Sequence, residues 1–418
     1  MTKVRAALVR SLSISCPLIA FAAMFGHMTG VINTGLALTG LGVVVAAWSE
    51  PRSLARWPLA VPIGLWAAWS LAAVAWSAYP ALSRHAWFDE VVYPLVTFWG
   101  FWLFAQRVGR PVWAAWACWA ACLLLAAISA VYLGHLQPPT PETFPLHFYA
   151  RVGHTSTLAI FAIPLFAGLM MGERTRPFGL VGVALCVFIG FATLNRFFWP
   201  AVAATLFVAA FPLYRRRLKY ALAVLVALSA IGGMLAIYGG ALRFGEQAAA
   251  AASSPSGAAA QPHEVPPSLV AFDDAVRSDT RPKLWAFYGR EALHHAWLGV
   301  GFGKPLPGLA LRSDMPPELL ALEPQAPTHA HNLFLNTWLQ TGVIGVVLQS
   351  VLLAALMLRY WRLRRADPYI AAAGIALVVG MVTKNFTDDF MWKTTMLAFW
   401  AFAGLLLGAG ERGRHEPN

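Results

Sequence analysis

Residues 215–239 read RRRLKYALAVLVALSAIGGMLAIYG. Arg215, Arg216, Arg217 and Lys219 give way to twenty positions, 220–239, without a charge. About twenty consecutive apolar residues are enough for a helix to cross the hydrocarbon of a bilayer. A helix also satisfies its own backbone hydrogen bonds there, which an open strand cannot do. The stretch therefore predicts a membrane-spanning helix with its basic flank in the cytoplasm.

The same pattern repeats outward from this segment. Of 418 residues, 58% are hydrophobic and 12% charged, about half the charged fraction of an ordinary soluble domain. Apolar stretches at 11–28, 31–48, 57–77, 87–105, 112–134, 154–172, 177–194, 197–213, 220–239, 332–358, 369–386 and 394–410 predict about twelve transmembrane helices, and so an all-α polytopic membrane protein. Numbered from a cytoplasmic amino terminus, the inside segments hold nineteen cations. The short outside loops hold only Arg84, Arg151, Arg196, Lys384 and Lys393. One orientation thus accounts for every basic cluster and puts both termini in the cytoplasm. The net charge of +12 is then a topology signal and an affinity for anionic membrane lipids, with little support for nucleic-acid binding. Cys16, Cys118, Cys122 and Cys186 all fall in apolar stretches, which excludes an extracytoplasmic disulfide and favours plain packing. The basic, then apolar, amino terminus lacks a small-residue cleavage site and reads as a retained first helix.

The chain divides into 1–239 (helices 1–9), 240–331 (a large outside loop) and 332–418 (helices 10–12 with a short cytoplasmic tail). Low-complexity residues at 246–263 predict a flexible start to the loop, and about 280–331 its ordered part. Leu284, Trp285, Tyr288 and Ala292 share one helical face, predicting a short amphipathic helix at the membrane surface. Gly299-Val300-Gly301-Phe302-Gly303-Lys304 superficially suggests a phosphate loop. Leu298, the following Pro305 and the lack of a preceding strand make it a glycine-rich turn instead. No internal repeat is evident.

The loop closes on Thr328-His329-Ala330-His331-Asn332, and the next helix continues to Gly342-Val343-Ile344-Gly345. His331, Asn332, Gly342 and Gly345 fill the pattern His, then Asn, Ser or Gln, nine residues, Gly, two residues, Gly. This resembles the signature of the O-antigen ligase family, and the resemblance extends from span seven onward. It implies a polyprenyl-dependent, GT-C-like glycosyltransferase of the bacterial inner membrane with its active site facing the periplasm. Its donor would be O-antigen on undecaprenyl pyrophosphate, its acceptor a lipid A–core sugar, and its mechanism would need neither metal nor other cofactor.

Such a transfer needs a base near the attacking hydroxyl and fixed cations for the departing pyrophosphate. His331, at the amino end of a helix whose dipole disfavours protonation, is the candidate base. His329 is a supporting candidate, and with no third ligand evident beside the two histidines no metal site is expected. In the absence of metal-binding carboxylate clusters, arginine is the natural pyrophosphate ligand. Arg196 and Arg281 are the leading candidates, with Arg151 and Arg277 behind them. Each has a plainer reading as an interfacial charge reaching for headgroups. Asn332 is a supporting or acceptor-side candidate, as is Asp389, which with Asp388 lies in the short outside turn after span eleven and could orient an arginine or hold the acceptor sugar; the roles of the two aspartates are left open. Gly342 and Gly345 are expected to let helix 10 approach a neighbouring helix closely.

Three alternatives stay open. An O-antigen polymerase would use the same chemistry on a different acceptor. A protein O-oligosaccharyltransferase usually carries an extra carboxy-terminal domain, for which the chain leaves no room after its twelfth span. A transporter or flippase would be expected to show internal symmetry and mid-membrane charges. Oligomeric state is not indicated.

Overall fold

The computed structural model describes residues 2–25, 28–109, 111–133, 152–252, 279–321 and 326–413. Arg151 and Arg277 lie outside the described residues, as does the part of the predicted flexible stretch beyond Ala252. Among the described residues there is no strand. The principal helices are α1 (Thr2–Phe25), α2 (Thr29–Ser49), α3 (Ala60–Ala75), α4 (Pro80–Trp87), α5 (Tyr93–Leu103), α6 (Val112–Leu133), α7 (Val152–Met170), α8 (Arg176–Ala192), α9 (Phe198–Ala209), α10 (Leu218–Ala252), α11 (Arg281–His294), α12 (Leu333–Leu363), α13 (Pro368–Phe386) and α14 (Lys393–Gly413).

Eight of these, namely α1, α2, α6, α7, α10, α12, α13 and α14, are long and apolar enough to cross a membrane. The other four predicted spans fall on shorter helices. Three of them are α3, α8 and α9. The fourth is α4–α5, where π-helical turns at Phe88–Val92 and Phe104–Val108 bracket α5. Helix α10 runs thirteen residues past the predicted end of its span, because the alanines at 248–252 favour helix strongly.

Helix α14 forms the centre of the bundle and is buried along nearly its whole length. It packs on α5, α1, α13 and α7. At Gly404 the carbonyl of Phe98 comes so near that an added Cβ would lie 2.2 Å from it, the close approach that small residues allow between membrane helices. Helix α10, by contrast, is mostly exposed, as expected for a helix facing lipid.

Helix α12 is broken at Gly342, whose φ of 69° and ψ of −176° interrupt the helix. The break frees backbone groups that the bilayer could not satisfy, and the 296–301 loop takes them up. Val343 donates to the Ala296 carbonyl at 2.8 Å, Val300 donates to Leu339 at 2.7 Å, and Gly301 donates to Gln340 at 3.1 Å. The Trp69 indole donates to the Thr341 carbonyl at 2.9 Å. A Cβ on Gly342 would lie 1.9 Å from the Trp297 carbonyl, and one on Gly299 2.4 Å from the Gln340 backbone. The glycine-rich turn is thus the splint for a broken membrane helix. Gly342 serves a loop rather than the helix neighbour expected of it, whereas Gly345 faces Thr341 and Trp69 of α3.

The amphipathic face of α11 also finds a different partner from the membrane surface. Leu284, Tyr288 and Ala292 are buried against Leu311, Met315, Leu319, Ala330 and Leu339. Trp285 donates to the Ala330 carbonyl at 2.8 Å. The apolar stripe is used up on the protein itself, and this fixes the segment that carries His331.

Candidate active site

Six elements converge at one end of the bundle: the α8–α9 turn, the start of α11, the segment before α12, the end of α13, the α13–α14 turn and the start of α14. Arg196 sits in the first of these. Asn195 shapes that turn by accepting from the Phe197 amide at 3.0 Å and donating to Ser156 at 3.4 Å. Arg281 begins α11, and both its backbone amide (3.0 Å) and its guanidinium (3.2 Å) contact Asp279. Arg196 also bonds Asp279 through its guanidinium, so one carboxylate bridges the two arginines. Both guanidiniums stand over the ring of Phe197, at 4.9 Å for Arg196 and 4.6 Å for Arg281.

Arg281 links this pair to the histidine. Its second nitrogen donates to Asp388 Oδ2 at 3.1 Å, while Asp388 Oδ1 lies 3.0 Å from His331 Nδ1. Burial pushes the Asp388 carboxyl up, but the His331 hydrogen bond together with Lys384 and Arg281 outweighs it and holds the group below its usual range. An ionised carboxylate can only accept, so the proton between them belongs to His331 Nδ1. That tautomer puts the lone pair on Nε2, as a base requires.

His331 occupies the left-handed region at φ 48°, uncommon for a residue with a side chain though less so for histidine. Asn332 then caps α12, accepting from the Phe334 and Leu335 amides at 3.0 Å each. Its amide nitrogen donates to the Phe386 carbonyl at 2.8 Å, tying the start of α12 to the end of α13. Asn332 therefore sets the height and direction of His331. His329 packs its ring on His331, with centroids 4.1 Å apart, and accepts or donates at Nδ1 with Thr328 Oγ1 at 2.9 Å. Burial, reinforced by the neighbouring His331, pushes His329 down to about 3, so it stays neutral.

Asp389, the aspartate expected in this site, points elsewhere. It accepts from Lys304 Nζ at 2.5 Å and from Asn336 at 2.9 Å, and both charged partners are buried. Asp388 contacts the arginine and the histidine. Three functional-looking residues escaped the sequence: Asp279, Lys304 and Lys384. The glycine-rich turn delivers Lys304, but the sequence gives no sign of its pairing 85 positions away.

His329, His331 and Asp388 bring donor atoms within 4.8 Å of one another, supplying the third ligand type that the sequence did not show. Arg281 already neutralises Asp388, and Lys384 adds a second cation to the same carboxylate.

Beside the arginines opens a groove of about 310 Å³ lined by Phe197, Pro200, Val382, Thr383, Phe386 and Thr387. Its walls are the start of α9 and the end of α13, and Phe197 is shared with the guanidinium pair. An apolar groove thus adjoins, through Phe197, a pair of guanidiniums that Asp388 links to an oriented imidazole. That combination suits a lipid carrying a diphosphate, with a reaction at the diphosphate end.

No curated protein matches the chain. The family described as Wzy_C: O-Antigen ligase matches residues 181–350, from within α8 into α12, a span that holds Arg196, Asp279, Arg281, His329 and His331. Over that segment the chain is similar to the O-antigen ligase family, a likeness that supports a general role as a membrane glycosyltransferase of the ligase or polymerase type.

Proposed function

We propose that the protein is an O-antigen ligase that transfers O-antigen from undecaprenyl pyrophosphate to a sugar hydroxyl of lipid A–core. The observation that carries this reading is the continuous side-chain path Arg196–Asp279–Arg281–Asp388–His331 at the mouth of the α9–α13 groove. The polyprenyl chain would lie in the groove and the diphosphate against the arginines. Because Asp279 bridges both guanidiniums as a phosphate would, the donor has to displace that carboxylate on entry.

In the reaction the acceptor oxygen forms a bond to the anomeric carbon while the carbon–oxygen bond to diphosphate breaks. The hydroxyl proton goes to His331 Nε2, and the electron pair leaves with undecaprenyl pyrophosphate. Arg196 and Arg281 offset the charge gathering there, each well-placed donor being worth about 10²–10³-fold. A single displacement without an enzyme nucleophile inverts the anomeric centre. The cations already crowding Asp388 support a metal-independent reaction. Arg151 and Arg277 carry no part of this reading.

The reading includes twelve membrane crossings, with α3, α4–α5, α8 and α9 as short spans beside the eight longer ones. The distribution of cations supports cytoplasmic termini and a site facing the periplasm of the inner membrane.

The test is transfer by purified full-length protein from undecaprenyl-diphosphate-linked oligosaccharide to lipid A–core, with EDTA present. Native protein is expected to retain activity, and His331→Ala to lose about 10²–10⁴-fold while remaining inserted. Native activity from His331→Ala would sink the base assignment, and loss of native activity in EDTA would sink metal independence. A deletion strain distinguishes the polymerase: loss of a ligase leaves lipid-linked polymer unattached, whereas loss of a polymerase leaves core capped by single units.

A further inference from the structure

The buried lysine behind the site, Lys384, has no counterpart in the scheme above. It lies in the last turn of α13 with none of its surface exposed. Its Nζ has no hydrogen-bond partner among the described residues and stands 4.7 Å over the Phe390 ring. A buried ammonium without hydrogen bonds is costly to keep. Asp388 follows four positions later, across the helix end, and feels its charge.

Arg281 has two incompatible duties in the proposed reaction. In the structure it is the hydrogen-bonding counter-ion of Asp388, at 3.1 Å. During turnover the diphosphate would recruit the same guanidinium. Asp388 is 1% exposed, so losing Arg281 would leave a buried carboxylate with too little compensation. Such a group takes up a proton, and a protonated Asp388 no longer holds His331 in the tautomer with its lone pair on Nε2. A cation that cannot leave would prevent this. Lys384 meets the requirement, being enclosed by protein in the last turn of α13, four residues before the carboxylate in the chain.

We infer that Lys384 is a positioning residue that keeps Asp388 ionised, and His331 aimed, while the donor diphosphate occupies Arg281. This inference rests on the proposed function and adds a residue to it. The other charged or titratable groups around Asp388 are His331 and His329 from the segment before α12, and Asp279 and Arg281 from the start of α11. The Lys304–Asp389 pair lies next along the α13–α14 turn. Of the cations, Arg281 would be drawn to the donor, and Lys304 is held by Asp389 at 2.5 Å.

The experiment measures kcat and donor KM against pH for full-length Lys384→Met in the same transfer assay. Methionine retains the side chain's length and removes its charge. The expected result is a kcat lower by about 10-fold or more near pH 7 with donor KM unchanged, because the loss acts through the carboxylate. Removing a cation beside Asp388 raises the pH at which it ionises, so the acidic limb should move upward and the deficit shrink at high pH. An unshifted profile, or a deficit equal at every pH, would overturn the inference. A double-mutant cycle gives an independent reading. Lys384→Met added to Asp388→Asn should cost nothing further if lysine acts through aspartate, and a multiplicative loss would refute it. The underlying reading fails separately. If Arg281→Ala and His331→Ala also transfer normally, the site itself is misassigned; if they are inactive while Lys384→Met matches native protein, only the role of lysine falls.

Discussion

Asp388 and Asp389 are adjacent in one short turn and have opposite environments. Asp389 faces inward, where Lys304 and Asn336 satisfy both of its oxygens. Near this pair lies a small cavity of about 50 Å³ that Lys304 lines together with Glu90 and Thr337. Asp388 faces the partly buried Arg281 and His331, near the α9–α13 groove. The first carboxylate closes a contact between the outer loop and the membrane helices. The second divides its oxygens between Arg281 and His331, both of which, under the proposed function, must remain available to substrate. A buried ion pair is thus structural or catalytic according to whether its partners have further work outside the pair.

Substitutions can separate the two. Arg281→Ala removes the side chain that touches both Asp279 and Asp388, and should lower transfer by about 10²–10³-fold; a raised donor KM in the same assay would mark it as a donor ligand. Asp388→Asn should cost about 10–100-fold in kcat, the scale for losing the partner that orients a functional histidine, with a smaller loss of thermal stability than at Asp389, because Arg281 and His331 are partly exposed. Asp389→Asn should invert that pattern. Breaking a buried pair typically costs about 3–5 kcal/mol, so the melting temperature in detergent should fall while transfer per folded molecule holds. If the two aspartate variants behave alike in both measurements, the division is wrong. The smallest effect is expected from Asn332→Ala, about 1 kcal/mol of helix-cap stability, read as a lower melting temperature and greater hydrogen exchange at Phe334 and Leu335.

What the sequence made legible follows from the range of the interactions involved. Membrane spans are local, since each apolar stretch declares itself, and basic flanks such as 215–219 report the side independently. The three short helices and the π-interrupted α4–α5 read as apolar but not as short, because their lengths depend on what packs around them. His331, Arg196 and Arg281 were legible through a motif and through the cost of charge near lipid, and the fold brings them to one end of the bundle. Of their connecting carboxylates, Asp279 was not, and Asp388 was legible only as one of two adjacent aspartates, without its partners. Asp279 meets Arg196 across 83 positions and Asp388 meets Arg281 across 107, distances over which only the fold decides pairing. Lys384 read as a loop cation because its position suits one; burial alone distinguishes it. Gly342 read as a packing glycine because a helix break leaves no mark on hydropathy.

The break at Gly342 has a consequence for assembly. It lies nine residues into α12, about 13 Å along the axis at 1.5 Å per residue, at a depth where orphaned backbone groups each cost several kcal/mol. The amides and carbonyl that satisfy them come from residues 296–301, which the ribosome makes some forty positions earlier. The mending segment is therefore already synthesised when the damaged helix emerges, and α12 can settle at its final depth only once that segment has docked. Insertion of α12 and construction of the histidine-bearing mouth are in this way coupled through the same few hydrogen bonds.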